Sequence, residues 1–318
     1  VEDPKIRNVW GTSFGNIILE GLEARPLINA YRRIGQPMAV GMNYYKRLPS
    51  MIQSCLYENE TPKSAVALDV KSFDSSIQPW LINIAFDILE ENIIFPDYMS
   101  RNAFDYSRHF FIQRPVVMPD GRLWLKSLGI PSGSFYTQLI GSICNMVLSH
   151  YAQQCHYGQM FKTFVLGDDS LFGVPLEFGI PKITDFTPYY SALGTELHPN
   201  KGSVAQRADQ VEFLGHCAYH LKVDRETASL MRLALYPEHP VIGPAQSLNR
   251  IKGILLDSAL NCWSLIHLHN LMVSRYREYI RHHKDDQFVG SDKDWLISVL
   301  DITNPPSDIT NITTFMLT

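Results

Sequence analysis

The sequence predicts an α+β fold: an antiparallel sheet backed by helices, with acidic groups at the strand ends. Three observations predict it. Short apolar runs of strand length alternate with amphipathic stretches of helical length. Two of those runs stop at carboxylates, at Asp69 and at the adjacent pair Asp168 and Asp169. The order is strand-acid, helix, loop-helix, acid hairpin, helix and then a helical module, which suits a sheet with helices on one face.

Taken in order, Asn16 to Gly35 reads as a helix that should break at Pro26. "SAVALDVKSFDSS" (Ser64 to Ser76) begins as a strand and ends in acids and serines. Gln78 to Ile93 follows as a helix with a proline in its first turn and Leu81, Ile84, Ala85, Ile88 and Leu89 at helical spacing. "RPVVMPDGRLWLK" predicts a hairpin turning at Asp120-Gly121, before a Gly/Ser/Pro loop. Phe135 to Cys155 is a long helix with Leu139, Ile143, Met146, Val147 and Tyr151 along one face. "KTFVLGDDSLFGV" is a hairpin with acids at its tip, and a short helix and a loop come after it. Val211 to Asp224 predicts a second strand pair, and Pro244 to His283 is mainly helical.

At 318 residues the chain can bury a large core and hold two or three subdomains. Apolar content is 45% and net charge −4, so a nucleic-acid partner would need positive charge concentrated in a groove. Candidate basic residues are Arg32, Arg33, Lys46, Arg47, Arg101, Arg108 and Arg114, interleaved with Tyr31, Tyr44, Tyr45 and Tyr106. Five scattered cysteines without a CxxC pair favour a reducing compartment and no zinc site. No apolar run reaches transmembrane length. "RHHKDD", with His282 and His283, reads as an exposed helix end.

Antiparallel strands whose ends adjoin would bring Asp69 beside Asp168 and Asp169. Three carboxylates there are hard oxygen ligands suited to two Mg²⁺ or Mn²⁺ ions, the apparatus of phosphoryl transfer. The residues alone leave a second reading open, in which Asp69 ends a strand and the pair is a solvated turn. The loop "GIPSGSFYT" offers Ser132, Gly133, Ser134 and Thr137 at a helix start, either as a cradle for a sugar-phosphate or as an ordinary capped terminus.

"DVKSFD", "SGSFYT" and "GDD", in that order, resemble motifs A, B and C of the palm of viral RNA-dependent RNA polymerases. The wording is similar to that of partitivirus-like double-stranded RNA viruses. "KIRNVWG" resembles motif F, "LHPNKGS" motif D and "EFLGHCAY" motif E, so the likeness spans roughly residues 1–220. It implies a right-hand polymerase: a ferredoxin-like palm with helical fingers and thumb. The expected division is fingers 1–63, palm 64–76, fingers insertion 77–125, palm 126–220 and thumb 221–318.

By position, the resemblance makes Asp69 and Asp168 the chief metal ligands, with Asp169 assisting. Lys201 would donate a proton to pyrophosphate, and Lys5 and Arg7 would hold the triphosphate. Asp74 would sense the ribose 2′-hydroxyl together with Ser132, Gly133 and Thr137. Many relatives carry an asparagine four residues after the motif B threonine, where this chain has Gly141. Asn145, one helical turn on, is the candidate replacement, with helix packing as its alternative. The implied partners are template and nascent RNA, NTPs and a viral capsid protein, and the implied location is the host cytoplasm or the virion interior. The likeness starts at motif F, so the family's N-terminal fingers are expected to lie outside this sequence. Two rival readings are an RNA-templated DNA polymerase, disfavoured by Asp74, and a non-catalytic RNA-binding scaffold.

Overall fold

The computed structural model describes residues 12–34, 37–59, 61–118, 120–198, 200–237, 240–259 and 261–282. These fall into two compact units, one of residues 12–42 and 53–214 and the other of residues 43–52 and 215–282.

The first unit opens with helix α1 (Phe14–Ile34). It runs on through Pro26, contrary to the break the sequence predicts. Ala24, Leu27, Ile28 and Tyr31 all meet the core around that proline, and this burial offsets the lost backbone hydrogen bond. Helix α2 (Tyr44–Leu56) gives its last residues to this unit. Then come β1 (Tyr57–Glu58), β2 (Thr61–Asp69), the four-residue α3 (Phe73–Ser76), α4 (Pro79–Glu90) and α5 (Tyr98–Ile112). The expected hairpin follows as β3 (Arg114–Val117) and β4 (Leu123–Lys126). Helix α6 (Thr137–Tyr157), strands β5 (Thr163–Leu166) and β6 (Asp169–Pro175), α7 (Ile183–Ala192) and β7 (Ser203–Ala205) complete it.

Four strands lie side by side in the order β7-β2-β6-β5, all antiparallel, with β1 also on β2. Helix α4 and then α6 intervene between β2 and β5, and α7 lies between β6 and β7. This is the ferredoxin-like βαββαβ arrangement. Because side chains alternate along a strand, Val66 and Leu68 of β2, with Val70 just past its end, join Phe172 and Val174 of β6 on the face that shares a core with the helices. Ala65, Ala67 and Asp69 point to the other face. There the end of α2 passes so close to Gly173 that an added Cβ would lie 2.3 Å from the Cys55 carbonyl oxygen.

Helix α4 buries Leu81, Ile82, Ala85, Phe86 and Leu89, whereas the expected Ile84 and Ile88 are 38% and 36% exposed. The helix is rotated from the simplest apolar stripe because Phe86 packs edge-on against Phe104 and Phe111. On α6 the core stripe is Leu139, Ile140, Ile143, Cys144, Leu148 and Ala152. Met146 and Val147 pack against that core from its edge, and with Ile143 and Tyr151 they line one apolar cleft of about 540 Å³, the shared face the sequence predicts.

The second unit holds the start of α2, a hairpin of β8 (Cys217–Tyr219) and β9 (Lys222–Asp224), and helices α8 (Thr227–Leu235), α9 (Gly243–Asp257), α10 (Trp263–Arg275) and α11 (Arg277–His282). Leu230, Ile251, Leu255, Leu256 and Leu265 form its core. Beside that core, Asp257 accepts hydrogen bonds from the Tyr44 hydroxyl at 3.0 Å and from Arg225, and pairs with His216 Nε2 at 3.0 Å. Burial pushes the Asp257 carboxyl up, but His216 and Arg225 outweigh it and hold the group at about 2.

Candidate active site

Strand register sets the site. Asp69, the last residue of β2, stands directly opposite Asp169, the first of β6, and Leu166 of β5 completes the row. Asp168 is next to Asp169 in the two-residue turn, exposed at the sheet's end. Gly167, with φ +60°, supplies the left-handed backbone this tight turn needs. The end of β2 is pinned from its other edge, where the His198 N–H donates to the Asp69 carbonyl at 2.8 Å and the Lys71 N–H donates to Glu196 at 2.7 Å. That segment leads to Lys201, whose Nζ lies 4.0 Å from Asp69 Oδ2.

Like charges set opposite each other across a ladder repel. The Asp169 carboxyl is accordingly pushed up to about 7, by burial first and then by Asp168, Asp69 and Glu212, against a weaker opposing pull from Lys201. Among the described residues no three His, Cys, Asp or Glu side chains stand grouped to hold a metal ion. The donor chemistry still fits a hard divalent cation, since the acids offer only oxygen and the site is short of positive charge. The candidates to hold it remain Asp69, Asp168 and Asp169, of which Asp69 and Asp169 stand opposite each other in the ladder.

The loop after β2 and the loop before α6 are tied together. The Ile130 N–H donates to the Asp74 carbonyl at 2.6 Å and the Gly129 N–H to the Ile77 carbonyl at 2.9 Å. This brings Ser132 Oγ to 3.5 Å from Asp74 Oδ2, with Gly133 exposed beside it. Thr137 Oγ1 donates to the Pro131 carbonyl at 2.7 Å and braces the loop from the helix side. Asn145 is fully buried and does not face this loop. Its Nδ2 donates to the Gly167 carbonyl at 3.0 Å, behind the acidic turn. Lys5 and Arg7 lie outside the described residues, as does His283.

Sequence reasoning missed several residues of the site. Glu20 on α1, 2% exposed, accepts from Ser134 Oγ at 2.7 Å and from the Phe135 N–H at 3.1 Å, and so holds the motif B loop. Lys126 donates to the Gly129 carbonyl at 2.9 Å, and burial lowers its ammonium to about 8, helped by Arg114 and opposed by Asp74. Glu212 adds to the repulsion on Asp169, and its place at the head of "EFLGHCAY" was the signal available. Three of the candidate groove cations are engaged within the protein. Arg114 is 3% exposed and 3.8 Å from Glu20, Arg108 binds Asn83 and Asp87, and Arg101 pairs with Glu90.

Among the described residues no helix is long and apolar enough to cross a membrane. The chain superimposes on the RNA-dependent RNA polymerase of a human picorbirnavirus with a TM-score of 0.72 at 18% identity, covering 89% of this chain and 57% of that one. It is therefore folded as a right-hand polymerase. It is 33% identical over 128 residues to the RNA-directed RNA polymerase of Cryptosporidium parvum virus 1 (strain KSU-1), a match over 39% of this chain and 24% of that protein. Over 187 residues it is 25% identical to the genome polyprotein of Bovine enteric calicivirus NB, 55% of this chain and 8% of that one. The chain thus matches only part of each relative's length. The viral RNA-dependent RNA polymerase family matches residues 1–281, and the chain belongs to that family.

Proposed function

We propose that the chain carries the nucleotidyl-transfer centre of an RNA-directed RNA polymerase, joining an RNA 3′-hydroxyl to the α-phosphate of an NTP and releasing pyrophosphate. The observation that carries the reading is the Asp69–Asp169 register, with Asp168 at the turn and Lys201 beside Asp69. Asp69 and Asp168, assisted by Asp169, hold two Mg²⁺ or Mn²⁺ ions. When bound, these supply positive charge to the reacting oxygens and the leaving phosphate. Lys201 gives its proton to the pyrophosphate. Asp74 and Ser132 read the ribose 2′-hydroxyl, with Thr137 bracing their loop and exposed Gly133 leaving room for the sugar. Lys5 and Arg7 hold the triphosphate.

The wider reading is replication and transcription of a viral RNA genome, with template and nascent RNA as partners and capsid protein as a further one. It divides the chain into fingers (1–63 and 77–125), palm (64–76 and 126–220) and a thumb (221–318), the last supported by the run of helices α8 to α11. The test is template-directed incorporation with NTPs against dNTPs in Mg²⁺. NTP incorporation should dominate. A preference for dNTPs would favour an RNA-templated DNA polymerase, and loss of all incorporation would favour a scaffold.

A further inference from the structure

We propose that Ser142 and Asn145 of α6 are positioning residues that seat the Gly167-Asp168 turn, and with it the Asp168 carboxylate. This deepens the polymerase reading and rests on it. The β5–β6 ladder closes at the Leu166–Asp169 pair, so the backbone of Gly167 lies beyond it. Turn residues usually give such groups to water, and against a helix they need protein partners. Both are supplied by α6. The Gly167 N–H donates to Ser142 Oγ at 3.0 Å, and Asn145 Nδ2 donates to the Gly167 carbonyl at 3.0 Å. Both side chains are fully buried.

The chemistry of each fits a seat. Ser142 spends its own proton on the Gln138 carbonyl at 2.6 Å, which leaves a lone pair for the Gly167 N–H. Asn145 Oδ1 is buried and finds no partner among the described residues, a cost that an apolar residue of the same shape would avoid. Its donor is what the fold uses. Gly141 marks how closely the helix and the turn approach, since a Cβ there would be in ordinary contact with Gly167 Cα at 3.7 Å. The carbonyl that Asn145 holds belongs to the peptide joining Gly167 to Asp168, so rotating that plane would swing the Asp168 side chain. Gly141, Ser142 and Asn145 thus form a socket on one helical face.

The test compares Ser142→Ala and Asn145→Leu with Ser149→Ala, another buried α6 serine whose hydroxyl pairs with Tyr190 at 3.0 Å. In metal-free protein, hydrogen exchange at the Gly167 amide should quicken at least about tenfold in the first two and not in the third. In primer extension their kcat with Mg²⁺ should fall by about 10–100-fold, with the NTP KM within about twofold. Their Mn²⁺-to-Mg²⁺ activity ratio should rise, because Mg²⁺ demands stricter octahedral geometry. Unchanged exchange and kcat in both variants, or an equal effect of Ser149→Ala, would overturn the proposal while leaving the polymerase reading intact. A wild type without Mg²⁺-dependent synthesis would overturn both.

Discussion

Replacing Glu20 with alanine should destabilise the first unit more than any single surface change. Glu20 Oε2 accepts two hydrogen bonds from the motif B loop, at 2.7 and 3.1 Å, and bonds to a charged acceptor are worth about 1.5–3 kcal/mol each. Its Oε1 lies 3.8 Å from Arg114, and both side chains are almost wholly buried. Arg114 would be left with Thr12 Oγ1 at 3.2 Å and the Phe110 ring at 5.0 Å as its polar and aromatic contacts. Breaking such a pair from one side costs about 3–5 kcal/mol, and that is the loss expected in urea unfolding at constant m-value. Adding Arg114→Met removes the stranded charge, so the double variant should be more stable than the sum of the singles by about 2 kcal/mol. A Glu20→Ala cost under about 1 kcal/mol, or strict additivity, would refute the reasoning.

Three further outcomes follow from the same physics. The Asp169 carboxyl sits at about 7 against an unfolded value of 3.8, so its contribution is fully present below pH 3.8 and lost as pH rises through about 7. In EDTA the stability of wild type relative to Asp169→Asn should therefore fall by up to about 4 kcal/mol between pH 4 and 8, and a flat difference would contradict it. Asp74→Ala should cut NTP-over-dNTP selectivity by about tenfold or more while leaving the melting temperature within a few degrees, checked by competitive incorporation. Asp257→Asn should cost the second unit about 2–4 kcal/mol near neutrality. Because the carboxyl is held at about 2, that advantage should persist above pH 3.8 and shrink as pH falls through about 2, which acid unfolding of both proteins measures.

Local pattern made much of the fold legible. The β2 run, the Asp120-Gly121 hairpin and the long α6 carry their own periodicity or turn residues, and each forms where the sequence predicts. Pro26 misled because local propensity argues for a break, while packing on both sides of it decides otherwise. The α4 face was misread because two isoleucines at helical spacing look as buried as Phe86, and only the partners Phe104 and Phe111 settle the rotation. That Asp69 would meet the Asp168-Asp169 turn was readable because strand ends show in the chain. Glu20 and Ser142 were not, since each acts on a loop more than twenty residues away and carries no local mark of it. Arg114 read as a surface cation for the same reason.

The most direct measurement is Mg²⁺-dependent RNA synthesis by Asp168→Asn beside the wild type, with NTP binding and melting temperature followed in parallel. The account predicts synthesis reduced by at least about a thousandfold with the fold retained, since the substitution removes a charge the chemistry depends on. Synthesis at the wild-type rate would contradict it.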